Sequence, residues 1–440
     1  MKSYKKYKDT KIAWVERVPE HWEIAKFKTV LSECKQKNEN EDAVLLSVSQ
    51  YTGVSIKDLE KKVGMFAAES LTGYNIVNKN NLVMNIMLAW NGAMGVSQFE
   101  GVVSPSYAVF KLFNNIDPQY LHYLIRTQQM AQYFEAYSTG LIKSRLRLYP
   151  FVFKSLFTII PPLTEQIQIA KYLDWKVSQI NKVINNKKKQ IELLKEYRYQ
   201  IINSVISNIV GEKIKLRHIF NFNKGLSITK DDLVDQGIPC VSYGEIHSKY
   251  GFEVDPMKHN LKCVEKKYLE SSPKSLLLQG DFVFADTSED IAGSGNFTYL
   301  NSATETFAGY HTIIASPKNE MEYRFIAYYF DSVTFRSQIQ KKVNGIKVYS
   351  ITQTILKNCL IKFPNHDTQI EIINYLDQKC SLIDKAIDKI KEEIALLNKY
   401  KPCLISDVVT GQVNVMDVVV RDFDKVDEDI EENDEYNETF

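Results

Sequence analysis

No stretch of this chain approaches the roughly 18 consecutive apolar residues a membrane-spanning helix needs. The opening MKSYKKYKDTK has no apolar run behind its charges and is not read as a secretory signal. Six cysteines (Cys34, Cys240, Cys263, Cys359, Cys380, Cys403) are scattered without a CxxC pair. That pattern fits reduced, mostly buried thiols in a cytoplasmic protein, not a disulfide framework or a zinc site. The seven histidines show no HxxxH spacing, and no phosphate-cradling GxxxxGK occurs. Gly293-Ser294-Gly295 begins like a dinucleotide loop, but Thr298 stands where the third glycine belongs. Pro161-Pro162 is followed by leucine, without the flanking residues an amino-methyltransferase uses to hold its target base. The pattern leaves open only a Ser/His/Asp site assembled from distant residues.

What the chain does have is one long helical pattern written twice. Pro161–Val205 aligns without a gap on Pro364–Val408, 203 residues later, with 19 identities in 45 positions. Repeats this far apart do not make a solenoid, whose periods run about 20–50 residues. They indicate two similar halves, each a variable globular segment followed by a near-constant helix.

In the first copy Leu173, Val177, Ile180, Ile184, Ile191, Leu194, Ile201 and Val205 keep 4-3 spacing. In the second, Leu376, Cys380, Ile383, Ile387, Ile390, Ile394, Leu397, Leu404 and Val408 do the same. A sustained repeat of this kind is a coiled-coil seam. Arg198 and Lys401 interrupt it in the same register, and Lys187 interrupts only the first copy, opposite Ile390. Two helices of equal length in one chain pack most simply antiparallel, with a globular domain at each end. Thr164 and Asp367 are the expected N-caps, and Pro402 is expected to kink or break the second helix.

Residues Asp422–Phe440 hold ten Asp or Glu and one lysine, which leaves the rest of the chain with 54 basic against 44 acidic residues. A mildly basic body suits a nucleic-acid binder, and an acidic run at a terminus is expected to stay disordered. The segments before the helices also correspond: Leu45–Gly53 with Pro239–His247, Asn80–Gly95 with Gln279–Gly295, and Ser138–Pro162 with Val343–Asn365. Short apolar runs between Gly, Asn, Asp and Ser read as strands and turns, while 118–137 and 321–343 read as helices. The fold class is therefore α+β: two globular domains joined by two long antiparallel coiled-coil helices. The loops diverge. Trp90-Asn91-Gly92 faces Asp286–Asp290, and Lys143–Arg147 faces Ile346–Tyr349. Divergent loops on a shared scaffold are expected to carry specificity. Arg and Lys suit guanine edges or phosphates, and Asn suits adenine. Lys143, Arg145 and Arg147 alternate, so on a strand they would share one face.

These residues bear a resemblance. IIPPLTEQIQIAKYLDWKVSQINKVI with LLKEYRYQIINSVI resembles the conserved region of Type I restriction–modification specificity subunits. FPNHDTQIEIINYLDQKCSLIDKAI with LISDVVTG, and the early VPEHWE, fit as well. The likeness covers the chain to about Val415. It departs at Asn365, His366, Thr368 and Pro402.

The resemblance implies target recognition domains over 1–160 and 211–363, spacer helices over 161–210 and 364–411, and an acidic tail over 412–440. It implies a non-catalytic DNA-recognition subunit whose halves read the two parts of an asymmetric double-stranded target. The helices would act as a ruler, and four residues inserted after Glu196 would add about 6 Å, or roughly two base pairs. They would also dock two methylation subunits carrying S-adenosylmethionine. Restriction subunits using ATP and Mg would join these in a cleaving complex. The candidate DNA-contacting residues are Tyr51, Trp90, Asn91, Lys143, Arg145, Arg147, Tyr243, Thr287, Ser288 and Lys347. The competing readings are a coiled-coil tether without sequence preference and a stand-alone nuclease or methyltransferase, whose motifs are missing.

Overall fold

A computed structural model describes residues 2–40, 42–50, 52–57, 70–343, 345 and 348–427. The chain divides into two compact units: 1–189 with 390–440, and 190–389. Each long helix, Leu163–Ser207 and His366–Val409, therefore contributes residues to both units.

The first unit is built on an antiparallel sheet of β1 (Leu31–Cys34), β2 (Leu82–Asn85), β3 (Met94–Val96) and β4 (Tyr107–Leu112), in the order β1-β4-β2-β3. β2 is buried at every position, as expected of an apolar strand covered on both faces. Two helices follow, Pro118–Ile125 and Gln128–Tyr137, where the sequence pattern placed them. Proline sits in the first turn of one, and Asp117 and Thr127 cap the two by accepting from Tyr120 N and Met130 N. Phe27 stacks on Phe153 at 4.5 Å, and Phe110 and Phe134 close the same core.

The second unit repeats this plan. β5 (Phe220–Lys224), β6 (Phe252–Val254), β7 (Phe282–Ala285), β8 (Phe297–Leu300) and β9 (Thr312–Pro317) run in the order β5-β9-β7-β8-β6. The first four follow the β1-β4-β2-β3 order, and β6 adds a parallel edge beside β8. Helices Tyr323–Asp331 and Val333–Gln340 follow, the second capped by Ser332 as Thr127 caps its counterpart. Phe282, Phe284, Phe297 and Phe330 form the aromatic core.

Each globular segment docks on its long helix through the same tyrosine–aspartate bond. In the first unit Tyr123 Oη and Gln119 Nε2 both donate to Asp174 Oδ1 at 2.8 Å. In the second, Tyr328 Oη donates to Asp377 Oδ1 at 2.6 Å, and Arg324 Nε reaches both Asp377 oxygens at 2.6 and 2.7 Å. Asp174 and Asp377 occupy equivalent positions in the repeat. Burial first, with the carboxylate alongside, raises the pKa of both tyrosines. Both phenols therefore stay protonated and act as donors. Gln166 and Gln369, again equivalent, return to the Pro161 and Pro364 carbonyls at 2.8 and 3.0 Å.

The helix ends differ from expectation. The first long helix starts at Leu163, with Gln166 N bonded to Pro162 O at 3.0 Å, so Thr164 lies inside it. The second starts at His366, and Asn365 Oδ1 accepts from Thr368 N at 2.9 Å, which makes Asn365 the cap in place of Asp367. Proline had hidden this start: a pyrrolidine fits the residues just before or in a first turn. Pro402 does not break the second helix, which runs through it to Val409. Leu404 and Val408 stay buried beyond it, and that packing outweighs the lost backbone bond.

The stretch expected as a disordered tail from residue 412 begins with an ordered strap in the first unit. Gly411, at φ 74°, turns the chain where a Cβ would lie 2.5 Å from Pro19. Gln168 Nε2 then donates to the Val415 and Val418 carbonyls at 3.1 and 2.7 Å. Ser178, Asn181 and Asn185 bond the backbone of Asp424, Val426 and Asp427 at 3.0, 3.0 and 3.1 Å. Val415 and Val420 are buried. The rest of the acidic run, 428–440, lies outside the described residues. No helix among the described residues is long and apolar enough to cross a membrane.

Candidate nucleic-acid interface

The first unit brings two of its diverged loops together. After β2 the chain winds a single 3-10 turn, Ala89–Asn91, closed by Gly92 in the left-handed region at φ 82°. Trp90 Nε1 donates to Met87 O at 3.0 Å, which fixes the indole partly exposed. Leu148 N donates to Ile86 O at 3.0 Å, so the basic segment runs alongside. Lys143 Nζ lies 5.8 Å from the Trp90 ring centroid and 3.0 Å from Glu135 Oε1. Trp90, Asn91 and Lys143 thus share one surface.

The three alternating basic residues do not share a strand face. Lys143–Arg145 form a 3-10 turn, and Arg147 pairs only through its backbone, with Thr139, at 2.9 and 3.0 Å. The reason is a close crossing: a Cβ on Gly140 would lie 2.6 Å from Arg145 O, so glycine lets the chain fold back on itself. Arg145 is exposed, whereas Arg147 is partly buried and its Nη1 is enclosed without a hydrogen-bond partner.

Tyr51 lies outside the described residues, but its neighbours are held by two groups that sequence reasoning missed. Arg126 donates to the Ser49, Gln50 and Met94 carbonyls at 3.3, 2.9 and 3.1 Å. His122, one turn earlier on the same helix, accepts from Val96 N at 3.2 Å. Gly53 packs against both, since a Cβ there would meet Arg126 Nη1 at 3.0 Å and His122 Cε1 at 3.1 Å. Burial lowers the Arg126 pKa to about 10. Burial first, then the Arg126 charge, lowers His122 to about 3. The one sequence signal was their i, i+4 spacing.

In the second unit Tyr243 opens the short helix Tyr243–Ser248. Its ring meets Tyr310, His311 and His247 edge-on at 5.5, 5.4 and 6.2 Å. Thr287 and Ser288 pair with Ser350 and Tyr349 in a two-residue ladder. His311 Nδ1 stands 3.2 Å from Asp286 Oδ1. Thr287 thus lies in the loop that reaches Tyr243 through His311 and Asp286, while Ser288 of the same loop is buried. Lys347 lies outside the described residues. The two faces differ in character. The first is basic and indole-centred, while the second combines tyrosine and histidine rings with an acidic loop, Asp286–Asp290. Among the described residues no group of three His, Cys, Asp or Glu side chains is placed to hold a metal ion.

The comparisons agree with this architecture. The family described as the Type I restriction modification DNA specificity domain matches residues 211–396. The Type I restriction enzyme MjaVIII specificity subunit of Methanocaldococcus jannaschii is 23% identical over 430 residues, covering 91% of this chain and 94% of its own. A chain from a structure addressing complex assembly and conformational transition of the type I R-M system superposes with a TM-score of 0.67 at 13% identity, covering 90% of this chain and 99% of that one. The HsdS subunit from Thermoanaerobacter tengcongensis gives a TM-score of 0.50 at 12% identity, covering 90% and 98%. At such identities the structural likeness is one of fold.

Proposed function

We propose that this chain, a specificity subunit of a Type I restriction–modification system, reads a split DNA target, one part with each globular unit. It is a non-catalytic subunit, so its contribution is recognition. The observation that carries the reading is the repeated docking. Tyr123 on Asp174 and Tyr328 on Asp377 place the same sheet-and-helix scaffold on equivalent helix positions, while the loops that scaffold presents differ. Two versions of one reader with different loops suit two different half-sequences, hence an asymmetric target.

The paired long helices are the element common to both units. On this reading they set the spacer between the half-sites and dock two methylation subunits. Those subunits supply S-adenosylmethionine, and restriction subunits supply ATP-dependent, Mg-dependent cleavage where they join. The candidate contacts in the first unit are Trp90, Asn91, Lys143 and Arg145, with Tyr51 and Arg147 alongside. In the second unit they are Tyr243, Thr287 and Ser288, with Lys347.

The test is the adenine-methylation pattern of DNA from cells expressing the chain with its methylation subunit, compared with cells lacking the chain. A split, asymmetric motif present only with the chain is expected. An assembled, competent methylation subunit that shows no chain-dependent motif overturns the reading.

A further inference from the structure

We infer that His247, Asn296 and Arg336 are positioning residues that fix the backbone of the Asp286–Asp290 loop and so set specificity for the second half-site. The inference rests on the reading that this loop faces DNA.

The Thr287 carbonyl stands 2.8 Å from His247 Nε2. The other ring nitrogen, Nδ1, lies 2.8 Å from Asn296 Nδ2. An amide nitrogen only donates, so Nδ1 accepts and the proton sits on Nε2, which donates to the Thr287 carbonyl. The amide cannot be turned over, because Asn296 Oδ1 accepts from Arg336 Nη1 at 2.6 Å and a guanidinium has only donors. Arg336 is held in turn by Asp331 at 3.1 Å, and the second Asp331 oxygen lies 3.4 Å from Arg198 on the first long helix. Every link has one permitted donor direction. The loop carbonyl is therefore referenced, bond by bond, to the helix.

Two observations favour a role beyond packing. Arg336 Nε is buried without a partner, an unfavourable arrangement that a plain apolar filler would avoid. The guanidinium stays for its directional bonds. The loop is also pinned from its other side: Ile351 N donates to Asp286 O at 2.7 Å, and Gly293 N donates to Asp290 Oδ1 at 2.5 Å. A Cβ on Gly293 would lie 2.5 Å from Ser288 Oγ. A recognition loop held this closely is what discrimination between bases requires, because a contact group displaced by about 1 Å no longer selects. The first unit uses a different device at a different loop, the counterpart of the Tyr243 turn, where Arg126 grips the Ser49 and Gln50 carbonyls directly.

The experiment sequences the methylation motif produced by the full chain with its methylation subunit, for wild type, His247→Leu, Asn296→Leu and His247→Gln. A glutamine amide can still donate to the Thr287 carbonyl. Both leucine variants are expected to keep the first part of the motif and lose discrimination in the second by about tenfold, the scale of one lost base contact. His247→Gln is expected to restore most of it. An unchanged second half-site in the leucine variants overturns the inference. So does equal loss of both parts, or loss in His247→Gln as complete as in His247→Leu, because each would mark a general folding role. Failure of the wild-type chain to direct any motif would instead overturn the functional reading, so the two failures are distinguishable.

Discussion

Arg198 meets Asp384 across the paired helices at 3.4 Å. Moving 203 residues along the repeat turns this pair into Lys401 and Asn181, which meet at 3.2 Å in the other unit. In each unit, then, the polar break in the seam is answered by a residue on the partner helix at the same register. This is the use of a polar core position best supported by physics: it costs stability and fixes alignment.

The two pairs are unequal in consequence. Arg198 also reaches Asp331 at 3.4 Å and is mostly buried. Arg198→Ala removes a largely buried guanidinium shared between Asp384 and Asp331, the latter still held by Arg336, and should cost the second unit about 1.5–3 kcal/mol. Lys401→Ala, which gives up a bond to a neutral amide, should cost about 1 kcal/mol. All four tryptophans lie within residues 1–189. Intrinsic fluorescence therefore follows the first unit, and circular dichroism follows both. A fluorescence midpoint that dropped as far as the circular dichroism midpoint in Arg198→Ala would refute the assignment of this residue to the second unit's stability.

Arg145 and Lys143 are both exposed on the basic face, and Lys143 is engaged by Glu135 and the Trp90 ring. Replacing Arg145 with alanine is expected to weaken recognition of the first half-site alone, by about 1–3 kcal/mol if it reads a base edge. Binding measured on targets altered in one half-site at a time decides the matter. A uniform loss across sequences, with the salt slope reduced by about one, would make it a phosphate contact instead. Arg147→Ala, by contrast, removes a partly buried side chain and should lower the stability of the first unit.

His122 gives the first unit an acid sensitivity with a defined sign. Burial holds its folded-state pKa near 3, below the ordinary value of 6.5. The unfolded chain takes up a proton as pH falls through about 6.5, and the folded chain does not. Stability present above that pH is therefore lost on acidification toward pH 3, by up to about 1.4 kcal/mol per pH unit. His122→Asn keeps an acceptor for Val96 N and removes the titration. The tryptophan-monitored midpoint of wild type should fall more steeply than that of the variant between pH 6.5 and 5, a window above most carboxylate titrations. Parallel curves would contradict it.

The long helices and the α+β halves were legible because periodicity and internal repetition are local, additive signals. The 4-3 spacing of Leu173, Val177, Ile180 and Ile184 predicts burial, and those with a facing partner are buried or nearly so. What could not be read depends on atoms brought together from afar. Nothing in the sequence around Ser49 and Gln50 announces that Arg126 will grip their carbonyls. Nothing around Lys143 says that Gly140 lets Arg145 O cross within 2.6 Å of its Cβ position and curls the basic run into a turn. The strap does not stand out for a related reason: the Val415 and Val418 carbonyls are held by Gln168, and those of Asp424, Val426 and Asp427 by Ser178, Asn181 and Asn185, all more than 240 residues away.

Helix length as the determinant of the DNA spacer makes the last prediction, and the antiparallel pairing dictates how it must be tested. An insertion after Glu196 alone lengthens one helix of the pair and leaves its partner short. Seven residues added after Lys189 in the first helix and seven after Lys389 in the second fall at the boundary between the units. Arg198 then keeps Asp384, and Lys401 keeps Asn181. Seven residues are close to two turns, so the seam stays on one face, and the pair grows by about 10 Å at 1.5 Å per residue. The spacer in the methylated motif should lengthen by up to about three base pairs at 3.4 Å each, with both half-sequences unchanged. If the assembled variant methylates the original motif with its original spacer, the helices dock partners without measuring DNA, and half-site separation must be set by the globular units themselves.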